Sequence, residues 1–176
     1  AFASEIFYQI FGNQDWAFYL LSQVFVLSGF IVVWKLSVIF FKNDFYSLIS
    51  IFLLEGIYFY NFTSPEFNVN ITQIPFWALT VYYAWKSITE KSNVNWLLLG
   101  FFGAAGFLSK YLFIYLLISI TVFFIFNIVK EKKIKKQYFI SIFVFFLIIS
   151  PHLFWLFKNN FITIYYALER TGLEES

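Results

Sequence analysis

The chain contains no cysteine and no methionine, one histidine, three prolines and seven glycines in 176 residues. Without cysteine there is no disulfide framework and no thiol chemistry, and the redox compartment leaves no mark on the sequence. The single His152 excludes a multi-histidine metal site built within the chain. No metal site and no cofactor is expected. Charge is the other scarcity. Charged residues form 12% of the chain, where a soluble globular protein has about a quarter. Apolar residues make up 61%, and mean hydropathy is +0.75. That balance is the mark of an integral membrane protein. Phe occurs 28 times, so no single Phe is read as functional. Residue 1 is Ala, and the chain enters "EIFYQIFGNQDW" with no leader pattern. It reads as an internal fragment.

A helix that crosses hydrocarbon needs about 20 mostly apolar residues. Six stretches meet or approach that length: 17–41, 45–60, 75–88, 96–109, 111–129 and 138–157. The third and fourth are short. The expected fold is an all-α, polytopic membrane bundle of about six transmembrane helices. It forms one domain over 1–176, truncated at both ends. The parts are an outer interfacial helix over 1–13, the bundle over 14–160 and an outer loop over 161–176. Gly12 and Asn13 should end the first helix. Pro75 suits the first turn of the third span. Gly100, Gly103 and Gly106 in "GFFGAAG" are small residues for close helix packing. No Gly-Lys-Ser/Thr phosphate loop follows them.

The loops separate by charge. With the N-terminus outside, Lys35, Lys42, Lys86, Lys91, Lys130, Lys132, Lys133, Lys135 and Lys136 share one side, nine of the twelve Lys and Arg. The positive-inside rule makes that side cytoplasmic. Lys110, Lys158 and Arg170 fall on the other. "KEKKIKK" is read as a topology signal, against an anionic-lipid or nucleic-acid patch, and no nucleic-acid partner is expected.

The polar residues that look specific then collect on the outer face. Lys110 ends the fourth span in "LSKYLF". It is either a snorkelling lysine or a cation aimed at a phosphate. Glu55 sits inside the second span and should face the bundle or a cavity, because a carboxylate in hydrocarbon is costly. "TSPEFNVN" carries one acid, two amides and two hydroxyls, a set that suits sugar hydroxyls, a cation or a capped turn begun by Thr63 or Ser64. Glu66 is either a general base or a solvated loop acid. His152 in "ISPHLFW" is an interface residue or a ligand. Trp155, Tyr165 and Tyr166 fit an aromatic belt and equally a sugar-stacking surface.

The ordered segments "FGNQDWAFYLLSQ", "SPEFNVNITQIPFWALTVYYAWKSI", "NWLLLGFFGAAGFLSKYLFIYLL" and "SPHLFWLFKNNFITIYYALER" resemble bacterial polyprenyl-phosphate-sugar-dependent glycosyltransferases. This group includes protein-mannosyltransferase-like and lipid A aminoarabinose and galacturonic acid transferase-like enzymes. The resemblance covers nearly the whole chain. Its most telling run is Trp96, Leu98, Gly100, Ala104, Leu108, Ser109, Lys110 and Tyr111, with Ala104 at a family glycine position. The resemblance implies a GT-C fold with its active site on the outer face of the bacterial inner membrane. It implies a polyprenyl-phosphate sugar donor and a lipid, glycan or protein acceptor of the cell envelope. Lys110 would contact the donor phosphate, and Tyr111 would lie near substrate. Glu66, Asn68, His152 and Glu55 would lie near substrate. The catalytic acid of the family would lie upstream of residue 1, so no residue here is assigned as catalytic, and neither Glu5 nor Asp15 takes that place. A flippase or transporter of lipid-linked substrates is the alternative. It would show inverted repeats and buried midplane charges. A non-catalytic membrane subunit is a third reading, and it would tolerate replacement of Lys110, Glu66 and His152.

Overall fold

A computed structural model describes residues 2–62, 64–90 and 92–169, with the side chains of Phe59 and of residues 166–169 left aside. Ala1, Thr63, Lys91 and the last seven residues of the expected outer loop, Arg170 among them, lie outside the described residues. The regular structure among the described residues is helical throughout: α1 (Phe2–Phe11), α2 (Asp15–Phe41), α3 (Asp44–Glu55), α4 (Tyr58–Asn61), α5 (Val69–Thr89), α6 (Asn93–Ser109), a 3-10 turn (Tyr111–Phe113), α7 (Ile114–Glu131), α8 (Gln137–Lys158) and α9 (Ile162–Glu169). The protein is an all-α bundle of the polytopic membrane kind.

Helix length separates the expected spans. α2 has 27 residues, about 40 Å at 1.5 Å per residue, more than a hydrocarbon core of about 30 Å. Among the described residues, three stretches are long and apolar enough to cross: α2, the 3-10 turn continued by α7, and α8. α6 is apolar but shorter, at 17 residues. The expected second span is not one helix. α3 has 12 residues, about 18 Å. It stops at Gly56, where a glycine weakens the helix by about 1 kcal/mol, and Ile57 turns extended before the short α4.

The third span starts six residues before the expected point. Asn68 caps α5, its Oδ1 accepting the N–H groups of Asn70 at 2.9 Å and Ile71 at 3.2 Å. Pro75 therefore lies inside the helix and not in its first turn. Gly29 of α2 sits against Ile74 and the backbone of Pro75, so α2 and α5 meet where the proline interrupts the ladder. Membrane helices tolerate such a proline when a neighbouring helix packs there. α1 ends as expected: Gly12 takes φ +70° and its N–H reaches the Tyr8 carbonyl at 2.8 Å.

The helices pack in the order α3, α2, α5, α6, α8, with α1 on α2. Val26 and Phe30 of α2 meet Ile71 and Ile74 of α5. Ala84 of α5, Trp96 and Leu99 of α6 and Tyr138 of α8 form a second apolar core. A Cβ on Gly100 would run into the Ser141 carbonyl, so α6 and α8 touch backbone to backbone. α7 has no buried residue. Large apolar side chains are exposed along most helices, a surface suited to lipid and not to water.

Candidate functional site

The site is built on the turn that ends α6. Gly106 leaves room that the Phe113 ring fills completely; a Cβ there would overlap the ring. Phe113 is 0% exposed and packs edge-on against Trp77 of α5 at 5.5 Å between centroids. The turn is thereby seated under α6. Its carbonyl at Lys110 accepts the Phe113 N–H at 3.0 Å and the buried Gln73 side-chain amide at 3.3 Å. Lys110 itself is extended, at φ −162°. Its half-buried Nζ donates to Asn70 Oδ1 on α5 at 2.6 Å.

The next residue faces the other way. Tyr111 Oη lies 2.8 Å from His152 Nε2 on α8 and 2.9 Å from Thr163 Oγ1 on α9. His152 stacks on Trp155 at 6.0 Å with 12° between the rings. Thr163 reaches the tyrosine because Asn160 and Phe161, both with positive φ, fold α9 back after α8. One two-residue turn thus sets a cation and a phenol side by side, each tied to helices distant in sequence.

Tyr111 and His152 are brought together, while the neighbouring Lys110 meets Asn70 instead. Asn68 and Glu66 are placed differently. The Asn68 side chain is committed to its own turn, capping α5 and donating to the Glu66 carbonyl at 3.1 Å. Glu66 is exposed and lines a separate recess of about 170 Å³ with Asp15, Phe18, Tyr19, Pro65 and Phe67. The loop carrying it is fastened to α2, because the buried Ser22 hydroxyl donates to the Ser64 carbonyl. Glu55 does not face the bundle as expected. It is the exposed last residue of α3 and joins neither set. The helix stops there, so its carboxylate leaves at a helix end and not from the middle of a span. No group of three or more metal-ligating side chains occurs among the described residues.

Gln73 and Thr163 were missed in the sequence, and Asn70 was read only as one of the two amides of "TSPEFNVN". Asn70 and Gln73 had a readable signal. They stand at i and i+3 of "NITQ", which puts two amides on one helix face once Asn68 is recognised as the cap. Thr163 had none, since its approach depends on the turn at 160–161.

These features define a membrane helix bundle whose α6 ends in a turn that carries two polar sets, Lys110 with Asn70 of α5 and Tyr111 with His152 of α8 and Thr163 of α9. The model of the dolichyl-phosphate-mannose-protein mannosyltransferase family matches residues 1–155. The chain belongs to that family of membrane glycosyltransferases of the GT-C kind, whose donors are lipid-linked sugars. Comparison with curated proteins and with solved structures gave no match.

Proposed function

We propose that the chain takes part in moving a sugar from a polyprenyl-phosphate donor to a cell-envelope acceptor, with Lys110 as the phosphate contact. The observation that carries this is the seating of Lys110. Its ammonium is held at a helix end by Asn70, and the turn beneath it is fixed by Phe113 and Gln73. A preorganised cation costs no reorganisation when negative charge develops on a leaving phosphate. In a site of low dielectric it acts more strongly than in water. Asn70 is neutral, so the contact that holds the lysine is not an ion pair that a phosphate would have to break.

Tyr111, His152 and Thr163 flank the phosphate position as hydrogen-bonding groups, and Trp155 beside them offers a ring face to a sugar. Glu66 and Asn68 belong to the loop that closes over α2 and line the acceptor side. Glu55, at the exposed end of α3, stands apart from these groups. None of these acids is assigned as the base that activates the acceptor. The resemblance supports localisation in a bacterial inner membrane, and the lysine-rich loops expected on the opposite side support an outer-face position for this turn.

The test is Lys110→Gln in the intact enzyme, with a polyprenyl monophosphate as binding probe and transfer from the lipid-linked sugar as readout. Loss of one transition-state donor costs about 10²- to 10³-fold in kcat. Probe affinity should fall as well, and Lys110→Arg should restore part of both. Activity and probe binding within about twofold of wild type would return Lys110 to a snorkelling role.

A further inference from the structure

A second site lies at the opposite end of the bundle. α7 stands off from α6 and α8, and the gap is a groove of about 270 Å³ lined by residues of all three helices. The cause is in the sequences. α6 and α8 meet backbone to backbone at Gly100 and Ser141. α7 has neither glycine nor alanine, and none of its residues is buried. It touches the bundle through Ile120, Phe124 and Ile128. Gly103 is buried where α6 faces α7 and α8, and a Cβ added there would meet Leu117 at 3.4 Å and Phe145 at 3.7 Å, ordinary contact distances.

The lining is apolar. Thr121 and Ser141 donate to carbonyls of their own helices, Leu117 at 2.8 Å and Tyr138 at 3.0 Å. The other polar side chain of the lining is Tyr138, at the loop end. The groove ends at Ile128 and Tyr138, each two positions from an end of "KEKKIKK". In that loop Lys135 is paired with Glu131 at 2.9 Å. Lys130, Lys132, Lys133 and Lys136 carry no ion pair among the described residues, and Lys132 closes α7 in a left-handed conformation.

We propose that this groove holds an acyl chain of an anionic glycerophospholipid, whose phosphate is met by the unpaired lysines at its mouth. The apolar gap supplies the chain contact and the loop the charge complement. The loop then does more than set topology: a lipid filling the gap completes the packing of α7, which its own side chains leave open. This site is independent of the glycosyl-transfer reading.

The experiment is native mass spectrometry of the intact chain in detergent, with equimolar phosphatidylglycerol and phosphatidylcholine of identical acyl chains. Wild type should retain phosphatidylglycerol with a preference of about tenfold or more, as several lysines near one headgroup predict. Replacing Lys132, Lys133 and Lys136 together by Gln should bring the preference to within about twofold. Thr121→Phe fills the groove from the loosely packed helix and should lower retention of both lipids. Gly103→Leu fills it from α6 and serves if the first variant does not fold, as judged by helical circular dichroism. Equal retention of the two lipids by wild type overturns the proposal, as does an unchanged preference without the three lysines. Folded groove-filling variants with wild-type retention also overturn it, by reducing the effect to attraction at the loop surface. So does a wild-type chain that excludes both lipids because a second copy occupies the groove.

Discussion

The sharpest test of how the site is held together is Gly106→Ala, made alone and with Phe113→Ala. A methyl at position 106 would lie inside the Phe113 ring. The ring is fully buried, so it can move only by shifting the turn that carries Lys110 and Tyr111. Overpacking of this kind costs about 1–3 kcal/mol. Alanine is favoured over glycine in a helix by about 1 kcal/mol. The single variant should therefore lose about 0–2 kcal/mol of stability, the difference of those ranges. Phe113→Ala leaves a cavity and loses about 3–5 kcal/mol on the scale of soluble cores. The loss should fall short of that range here, since lipid is as apolar as the site and the transfer part is smaller. In the double variant the alanine methyl enters the vacated space. The two changes should then be less than additive by about 1–3 kcal/mol, as expected for groups in contact. Thermal unfolding in detergent, followed by circular dichroism, gives the stability arm. Binding of a polyprenyl monophosphate gives the functional arm, where Gly106→Ala should weaken binding although it touches neither Lys110 nor Asn70. Strict additivity, or full probe binding by Gly106→Ala, would refute the claim that the Gly106–Phe113 fit positions the lysine.

Three further outcomes are expected. Tyr111→Phe removes the hydroxyl shared by His152 and Thr163; it should lower stability by about 1–3 kcal/mol and reduce sugar transfer, measured by unfolding and by turnover. Thr80→Val should raise stability by about 1 kcal/mol, because the buried Thr80 hydroxyl has no partner among the described residues; a lower melting temperature would show that it is satisfied. The Glu90 carboxyl, just past the end of α5, is held below the usual carboxylate range, first by the Asn95 side-chain amide at 2.9 Å and then by Lys86. A depressed folded pKa gives stability that is present above the unfolded value and lost as pH falls through the folded one. Melting temperature should thus drop more steeply on the acid side for wild type than for Glu90→Gln, over about pH 6 to 3.

Much of the architecture was legible because hydrocarbon imposes a simple rule. Every backbone polar group must be satisfied within its own segment, so apolar runs become helices and charge marks the loops. The runs at 17–41, 111–129 and 138–157 match α2, the 3-10 turn continued by α7, and α8 to within a few residues. Gly12 ended α1 as read. The errors came where a short polar signal outweighed an apolar one. Gly56 split the second span, and Asn68 moved the start of α5 ahead of Pro75. Glu55 was read as an intramembrane acid because the helix was assumed to continue past it.

The sequence by itself determined that this is a membrane helix bundle, which loops carry the positive charge, and that "SKY" sits at a helix end. Composition and period carry those facts, and each depends on neighbours within one or two turns. Only the tertiary structure decided that Lys110 meets Asn70, forty residues away, and that Tyr111 meets both His152 and Thr163. It also decided that α7 stands apart and leaves a groove. Such pairings depend on where glycine lets two backbones touch and where a ring fills the space between them, which are properties of helix faces brought together and not of any one segment.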